Sequence, residues 1–332
     1  MPERLKILVT GATGFVGSNL VRQLVARGAT VRVLHRRSSN LQLLNDLPIE
    51  CVIGDITDRD SVMYAVEGVD VIYHVAGAVS FWRGDRARLV KVNVQGTRHV
   101  VQAALRHRVR RLVYTSSIAA IGYRDDGRPA DETTTYNWAR YGIPYMETKW
   151  AAEREVLVGV EQGLDAVIVN PAVIFGPRDV NFHSGRMIQF IQQGKLPGYP
   201  PARMTVCDID DVVEGHLRAM ERGRAGHRYI LGGETLSFRE IFRTIAQVVG
   251  VPFPDREIPV SVYFLVALGY ELVGWLGGRR PVMTRDMITA MRWQSCGYSS
   301  EKACAELGYR ITPFRETIEK AYRWYKENGY LS

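Results

Sequence analysis

The 332-residue chain is poor in cysteine: Cys51, Cys207, Cys296 and Cys304 are its only four, and no two form a C-x-x-C pair. No histidine spacing completes a zinc site around them, so neither a metal-stapled fold nor a metal centre is expected. Free thiols suit a reducing cytosol, and a cytoplasmic location is the expectation. The chain runs from Lys6 straight into a strand-like segment, and no leader is expected. Charge of one sign is never concentrated. The formal net charge is +8, yet the basic residues are scattered, with short clusters at Arg36–Arg37, Arg106–Arg111 and Arg279–Arg280. None has the length of a nucleic-acid arm, and no nucleic-acid partner is expected. Internal repeats and low-complexity linkers are also lacking. The length and an apolar content of 46% fit one large domain, or a dinucleotide-binding domain with a smaller companion.

What is present begins at Thr10–Gly17, TGATGFVG. The apolar run before it reads as a strand and Phe15–Ala26 reads as an amphipathic helix. Gly11 allows the sharp turn, Gly14 lets a pyrophosphate approach the backbone, and Gly17 lets helix and strand pack closely. The unpaired N–H groups at the helix start then face a phosphate. The alternative is a glycine-rich turn with no ligand, but the strand before and the helix after are the context a dinucleotide site requires.

Further apolar runs predict strands at Thr30–His35, Glu50–Ile53, Val69–Val75, Arg111–Thr115 and Ala166–Asn170. Helical patterns fall between them at Asp60–Val66, Ala87–Arg106 and Tyr145–Val160. This alternation predicts an α/β Rossmann fold, a doubly wound parallel sheet over residues 1–175. Segment 205–232 is expected to return to it, and 176–204 with 233–332 to form a smaller substrate-binding region.

Tyr145 and Lys149 are four residues apart, on one helix face, just after Pro144. A phenol titrates near pH 10, and a nearby ammonium lowers that value toward use as a general acid–base. A surface pair at a common spacing is the plain alternative. Ser117, however, follows a strand end, where a doubly wound sheet binds ligands, and its hydroxyl can bind a substrate oxygen.

Together these stretches resemble the extended short-chain dehydrogenase/reductases, within the NAD-dependent epimerase/dehydratase superfamily. The matching motifs are TGATGFVG (10–17), GDITD (54–58), HVAG (74–77), NVQGT (93–97), YTSSIAA (114–120), YMETK (145–149), NPAVIFGP (170–177), ILGGE (230–234) and ELGYR (306–310). The resemblance implies Tyr145 as acid–base, Lys149 lowering its pKa and holding the nicotinamide ribose, and Ser117 on the substrate oxygen. It implies a cofactor path along Thr10, Gly11, Gly14, Phe15, Val16 and Gly17, past Asp55 and Ile56 at the adenine, to Val75, Ala76, Gly77 and Thr115. Asn93 supports the active-site helix, and Pro171 and Val173 lie near the nicotinamide.

Two branches compete. One holds dihydroflavonol reductase and 3β-hydroxysteroid or sterol-4-carboxylate dehydrogenase types; the other holds nucleotide-sugar epimerases and dehydratases. RPADET (128–133) and GHRYILGGE (226–234) are similar to a hopanoid-associated group named as epimerases. The aromatic residues Phe81, Trp82, Tyr141 and Phe182, with Met187, favour a hydrophobic substrate, whereas Arg178, Arg186 and Arg203 could serve a nucleotide sugar. A dinucleotide sensor without activity would be expected to lose Tyr145 or Lys149.

The second strand ends at His35 and is followed by Arg36, Arg37, Ser38 and Ser39, with no carboxylate for ribose hydroxyls. Guanidinium groups grip phosphate, so NADP is expected, with NAD as second choice. A homodimer is expected through Val94, Val101, Val156 and Leu157, unless these face the sheet. Finally, Val260–Leu276 has Glu271 as its sole charge. A buried helix roofing the substrate pocket is the first expectation; a subunit contact and a peripheral membrane contact through Trp275 and Arg279–Arg280 are the others.

Overall fold

The computed structural model describes residues 5–331. Seven strands make one parallel sheet: β1(Lys6–Thr10), β2(Thr30–His35), β3(Glu50–Ile53), β4(Val71–His74), β5(Arg111–Thr115), β6(Ala166–Pro171) and β9(Arg228–Leu231), in the order β3-β2-β1-β4-β5-β6-β9. The central strands are buried on both faces, which is why they read as unbroken apolar runs rather than alternating ones. On one face pack α1(Phe15–Ala26), α7(Ile209–Arg222) and α11(Glu301–Leu307); on the other pack α2(Arg59–Val66), α4(Gly96–Arg106) and α5(Pro144–Glu161). The strand order reverses between β1 and β4, so the crevice at their carboxyl ends is where such a sheet takes a ligand.

The rest of the chain builds a second layer at that edge. β7(Val173–Phe175), β8(Arg203–Asp208) and β10(Thr235–Ser237) form a small mixed sheet. Around it pack α6(Gly185–Gln192), α8(Phe238–Val249) and α12(Phe314–Glu327). Segment 205–232 therefore divides. α7 and β9 lie on the main sheet, while β8 pairs with β7 and β10.

Three expectations need correction. The helix expected over Ala87–Arg106 is interrupted: α3(Arg86–Leu89) runs into a π-helical turn, Val90–Gln95, before α4. Val101 and Val156 do not form an outer face. Both are buried in the core between helices and sheet, while Val94 and Leu157 are half-buried. α9(Val260–Gly277) is not a buried roof, since only Ala267 and Gly274 along it are buried. It is instead an exposed helix joined to α10(Arg285–Trp293).

Candidate active site

The glycine turn is as tight as its spacing implies. Gly11 has φ +71°, and a Cβ there would lie 2.6 Å from the Ala76 nitrogen. A Cβ on Gly17 would lie 2.2 Å from the Gly11 carbonyl oxygen, so α1 and β1 meet backbone to backbone. Gly14 is the N-cap of α1, without a side-chain cap and with no acid in the first turn. The first N–H groups of α1 are left to meet an anion.

Below this turn lies a buried polar network. His74, fully buried, bonds Thr10 Oγ1 through Nδ1 at 2.7 Å and Thr97 Oγ1 through Nε2 at 3.0 Å. Burial drives its pKa down to about 3, so the ring stays neutral. Thr10 Oγ1 also accepts from Ala76 N–H at 3.2 Å, which aligns Val75–Gly77 along the crevice. Asn93, inside the π turn, accepts from Ala78 N–H at 2.7 Å and donates to the Ala78 carbonyl and to Thr148 Oγ1. It thereby ties the chain leaving β4 to α5. The extra residue in a π turn, common at functional sites, turns Asn93 inward here.

Pro144 starts α5 and sets Tyr145 in its first turn. Tyr145 is buried and its ring lies 5.4 Å from that of Phe81. Burial raises its pKa, and a hydrogen bond with Ser117 opposes the rise. Ser117 sits just beyond β5 and caps a short 3-10 turn by accepting from Ala119 N–H. One turn below Tyr145, Lys149 Nζ donates to the Thr115 carbonyl at 2.9 Å and to Tyr114 Oη at 3.2 Å. These two bonds hold the ammonium at the strand end. Burial also lowers the Lys149 pKa to about 8, against the opposing charge of Glu153. A Cβ on Gly77 would lie 3.8 Å from Lys149 Nζ, so the strip after β4 runs directly to this pair.

Glu153, four residues past Lys149 on the same face, is itself buried. Asn170 Nδ2, at the end of β6, donates to Glu153 Oε1 at 2.6 Å and to the Ser117 carbonyl at 2.9 Å. One amide thus fixes the serine loop against the lysine helix. The i, i+4 spacing was the available signal for Glu153; His74 and Asn170 stand at strand ends and open the family motifs HVAG and NPAVIFGP.

Phe81 and Tyr141 join Tyr145 in one apolar cluster with Trp138, Tyr123 and, from α10, Ala290 and Trp293. Trp82 lies beside Phe81 and packs over Gly84. Phe182 and Met187 do not join this cluster. Phe182, held at φ +49°, stacks on Tyr325 at 5.1 Å, and both residues pack in the C-terminal cluster. Sequence reading missed Trp293, which no local pattern connects to a tyrosine so far back in the chain. Thr115 turns its hydroxyl away from the crevice, onto His216 Nε2 at 2.8 Å. Asp55 turns its carboxylate to the Thr57 N–H, and Ile56 is buried against Gly96. Pro171, buried, ends β6, and Val173, half-buried, begins β7 and packs against the C-terminal cluster. At the end of β2, His35 Nδ1 lies 3.0 Å from the Arg36 carbonyl oxygen. Arg36 and Arg37 are exposed, and no carboxylate among the described residues pairs with either.

These residues fit a dinucleotide: a cradle that any Cβ would fill, an uncapped helix start, and at the same edge Ser116 Oγ, buried with no partner among the described residues. Fold and site together define a nicotinamide-dependent oxidoreductase. The sequence profile of the NAD-dependent epimerase/dehydratase family matches residues 7–232, and the chain belongs to that family. It is 37% identical over 327 residues to sterol demethylase protein B of Methylococcus capsulatus, covering 98% of this chain and 99% of that one. It is also 37% identical over 328 residues to a candidate dihydroflavonol 4-reductase of Synechocystis sp., covering 97% and 95%. Among solved structures, that of gox2253 is 38% identical, with a TM-score of 0.86 over 99% of this chain and 100% of that chain.

Proposed function

We propose that the protein transfers hydride between NADP and a carbinol or carbonyl carbon of a hydrophobic, sterol-, hopanoid- or flavonoid-like substrate. The observation that carries this is the Tyr145 phenol, buried against Ser117 and Phe81 inside an apolar cluster, with Lys149 one turn below. With NADPH bound, its nicotinamide would supply the hydride for the carbonyl carbon in the reducing direction. Ser117 Oγ and the Tyr145 hydroxyl hold the carbonyl oxygen, and Tyr145 gives it a proton as the C–O bond becomes single. The oxidising direction reverses each transfer. Lys149 is the group that stabilises the phenolate left behind and holds the ribose. The aromatic wall excludes water from the reacting carbon.

The names of the flavonoid- and sterol-related relatives support this substrate class. An epimerase reading asks for guanidinium groups converging on a diphosphate. Arg178 instead donates to Asn19 Oδ1, Arg203 to the Thr235 carbonyl, and Arg186 is exposed. Support for NADP comes from the unpaired Arg36 and Arg37. For assembly, the outer stripe of α5 is Trp150, Arg154 and Val158, beside Val90 and Val94 before α4. This stripe, not Val101 and Val156, is the homodimer face; a monomer by light scattering at micromolar concentration overturns it.

The deciding experiment on the catalytic set is Tyr145→Phe. Turnover is expected to fall about 10²–10⁴-fold with cofactor affinity nearly unchanged. Full turnover by the variant would sink the assignment.

A further inference from the structure

α9 carries more exposed apolar side chain than any other element. Leu276 is 88% exposed and Trp275 79%, with Leu265, Leu268, Leu272 and Val273 also exposed. At about 100° per residue, the exposed positions span roughly 220° of the helix circumference. A contact with one flat protein surface covers a narrower stripe, so the width itself points to immersion in a fluid apolar medium.

The helix is long and apolar enough to cross a bilayer by length and composition, with a mean hydropathy of 1.5. Its attachments along both halves place it flat instead. Tyr263 Oη donates to the Gly198 carbonyl in the first half, and in the second Glu271 turns inward to accept from Arg285 at the start of α10. Crossing would drag these protein contacts into hydrocarbon.

At the C-terminal end of α9 the rim has one sign outward. Arg280 pairs with Asp85, Arg83 with Asp286 and Arg285 with Glu271. In each pair the carboxylate is inside and the guanidinium outside; the side-chain exposures are 61% against 11% for the first and 63% against 8% for the second. Arg279 is exposed and has no carboxylate partner among the described residues. The C-terminal half of the apolar helix is therefore bordered by guanidinium heads, a pattern that matches an anionic lipid headgroup layer, while Asp255 and Glu257 lie exposed ahead of its first turn.

We propose that α9 docks the protein on an anionic membrane surface, lying in the interface with Trp275 and Leu276 immersed and the arginine rim at the headgroups. The same ion pairs join this helix to the site. Asp85 and Arg83 belong to the loop carrying Phe81 and Trp82, and α10 carries Trp293 into the Tyr145 cluster. The docked face thus borders the apolar wall of the active site. Delivery of a membrane-borne substrate rests on the function proposed above; docking itself does not.

Co-sedimentation with phosphatidylglycerol/phosphatidylcholine vesicles, against pure phosphatidylcholine, tests it. The wild type is expected to pellet with the anionic vesicles. Arg279→Glu reverses one charge, two units in all, and is expected to weaken binding about thirtyfold. Trp275→Ser/Leu276→Ser is expected to abolish pelleting while NADP affinity and turnover of a water-soluble ketone stay within about twofold, because neither residue reaches the site. A wild type that stays in the supernatant, or a double variant that pellets like it, overturns the proposal. So does a wild-type dimer that the double substitution dissociates without any vesicle binding, since that makes the face a contact between copies. Failure of NADP binding or ketone turnover in the wild type would count against the catalytic reading alone and leave the vesicle result standing.

Discussion

Replacing Lys149 by methionine tests whether the lysine is held in the fold at a cost. Lys149 is 5% exposed, and burial brings its pKa from the ordinary 10.5 to about 8. Between those values the unfolded chain keeps a proton that the folded chain has released. Stability therefore rises with pH across this window and is lost as pH falls through 8. With RT of 0.59 kcal/mol, the two pKa values give a rise of about 2.5 kcal/mol between pH 7 and pH 10. Methionine keeps the length and loses the titration. It also leaves the Thr115 carbonyl without its donor, a constant loss of about 1–3 kcal/mol that does not change with pH. The measurement is urea unfolding of both proteins at pH 7, 8, 9 and 10. The wild-type minus variant difference is expected to climb by about 2.5 kcal/mol, most of it above pH 8. A difference that stays flat, or falls, would refute the burial of a strained ammonium here.

Three further outcomes follow from the same geometry. Arg36→Ala is expected to weaken NADP about 10- to 150-fold, the value of one or two charge-assisted bonds, while NAD affinity changes little; equal loss for both cofactors in titrations would remove Arg36 as the phosphate contact. Gly17→Ala puts a Cβ 2.2 Å from the Gly11 oxygen and is expected to lower stability by about 1–3 kcal/mol and cofactor affinity with it; unchanged thermal unfolding would contradict the backbone contact. Asn170→Asp introduces a carboxylate beside the buried Glu153 and is expected to raise KM and lower kcat together, because the serine loop loses its donor; normal kinetics would show that the Ser117 loop is fixed by other contacts.

The parallel sheet was legible because its strands are buried on both faces and so are apolar without interruption. The glycine turn was legible because only glycine tolerates φ +71° with a backbone 2.6 Å from its missing Cβ. Tyr145 and Lys149 were legible as a pair because helical spacing is fixed. What failed was whatever depended on helical phase or on what covers a surface. Val94 lies inside the π turn Val90–Gln95 and is half-buried, whereas Val101 on α4 is buried in the core, so the two do not make one outer face. Val156 falls between Arg154 and Val158 of the exposed stripe and points inward.

α9 exposes the deeper limit. An apolar run specifies the need for an apolar surrounding and not its identity. Val260–Leu276 has the composition of a buried helix, yet the rest of the chain fully covers only Ala267 and Gly274. The discriminating information lies in other segments, in Asp85 and Asp286 turned inward under Arg280 and Arg83. Those carboxylates are 195 and 203 residues from the arginines they hold, and only the folded chain shows that they orient a basic rim outward. A surface built this way has its lowest free energy with the apolar arc out of water and the guanidinium groups near anions. Among common surroundings, a headgroup layer over hydrocarbon meets both conditions at once.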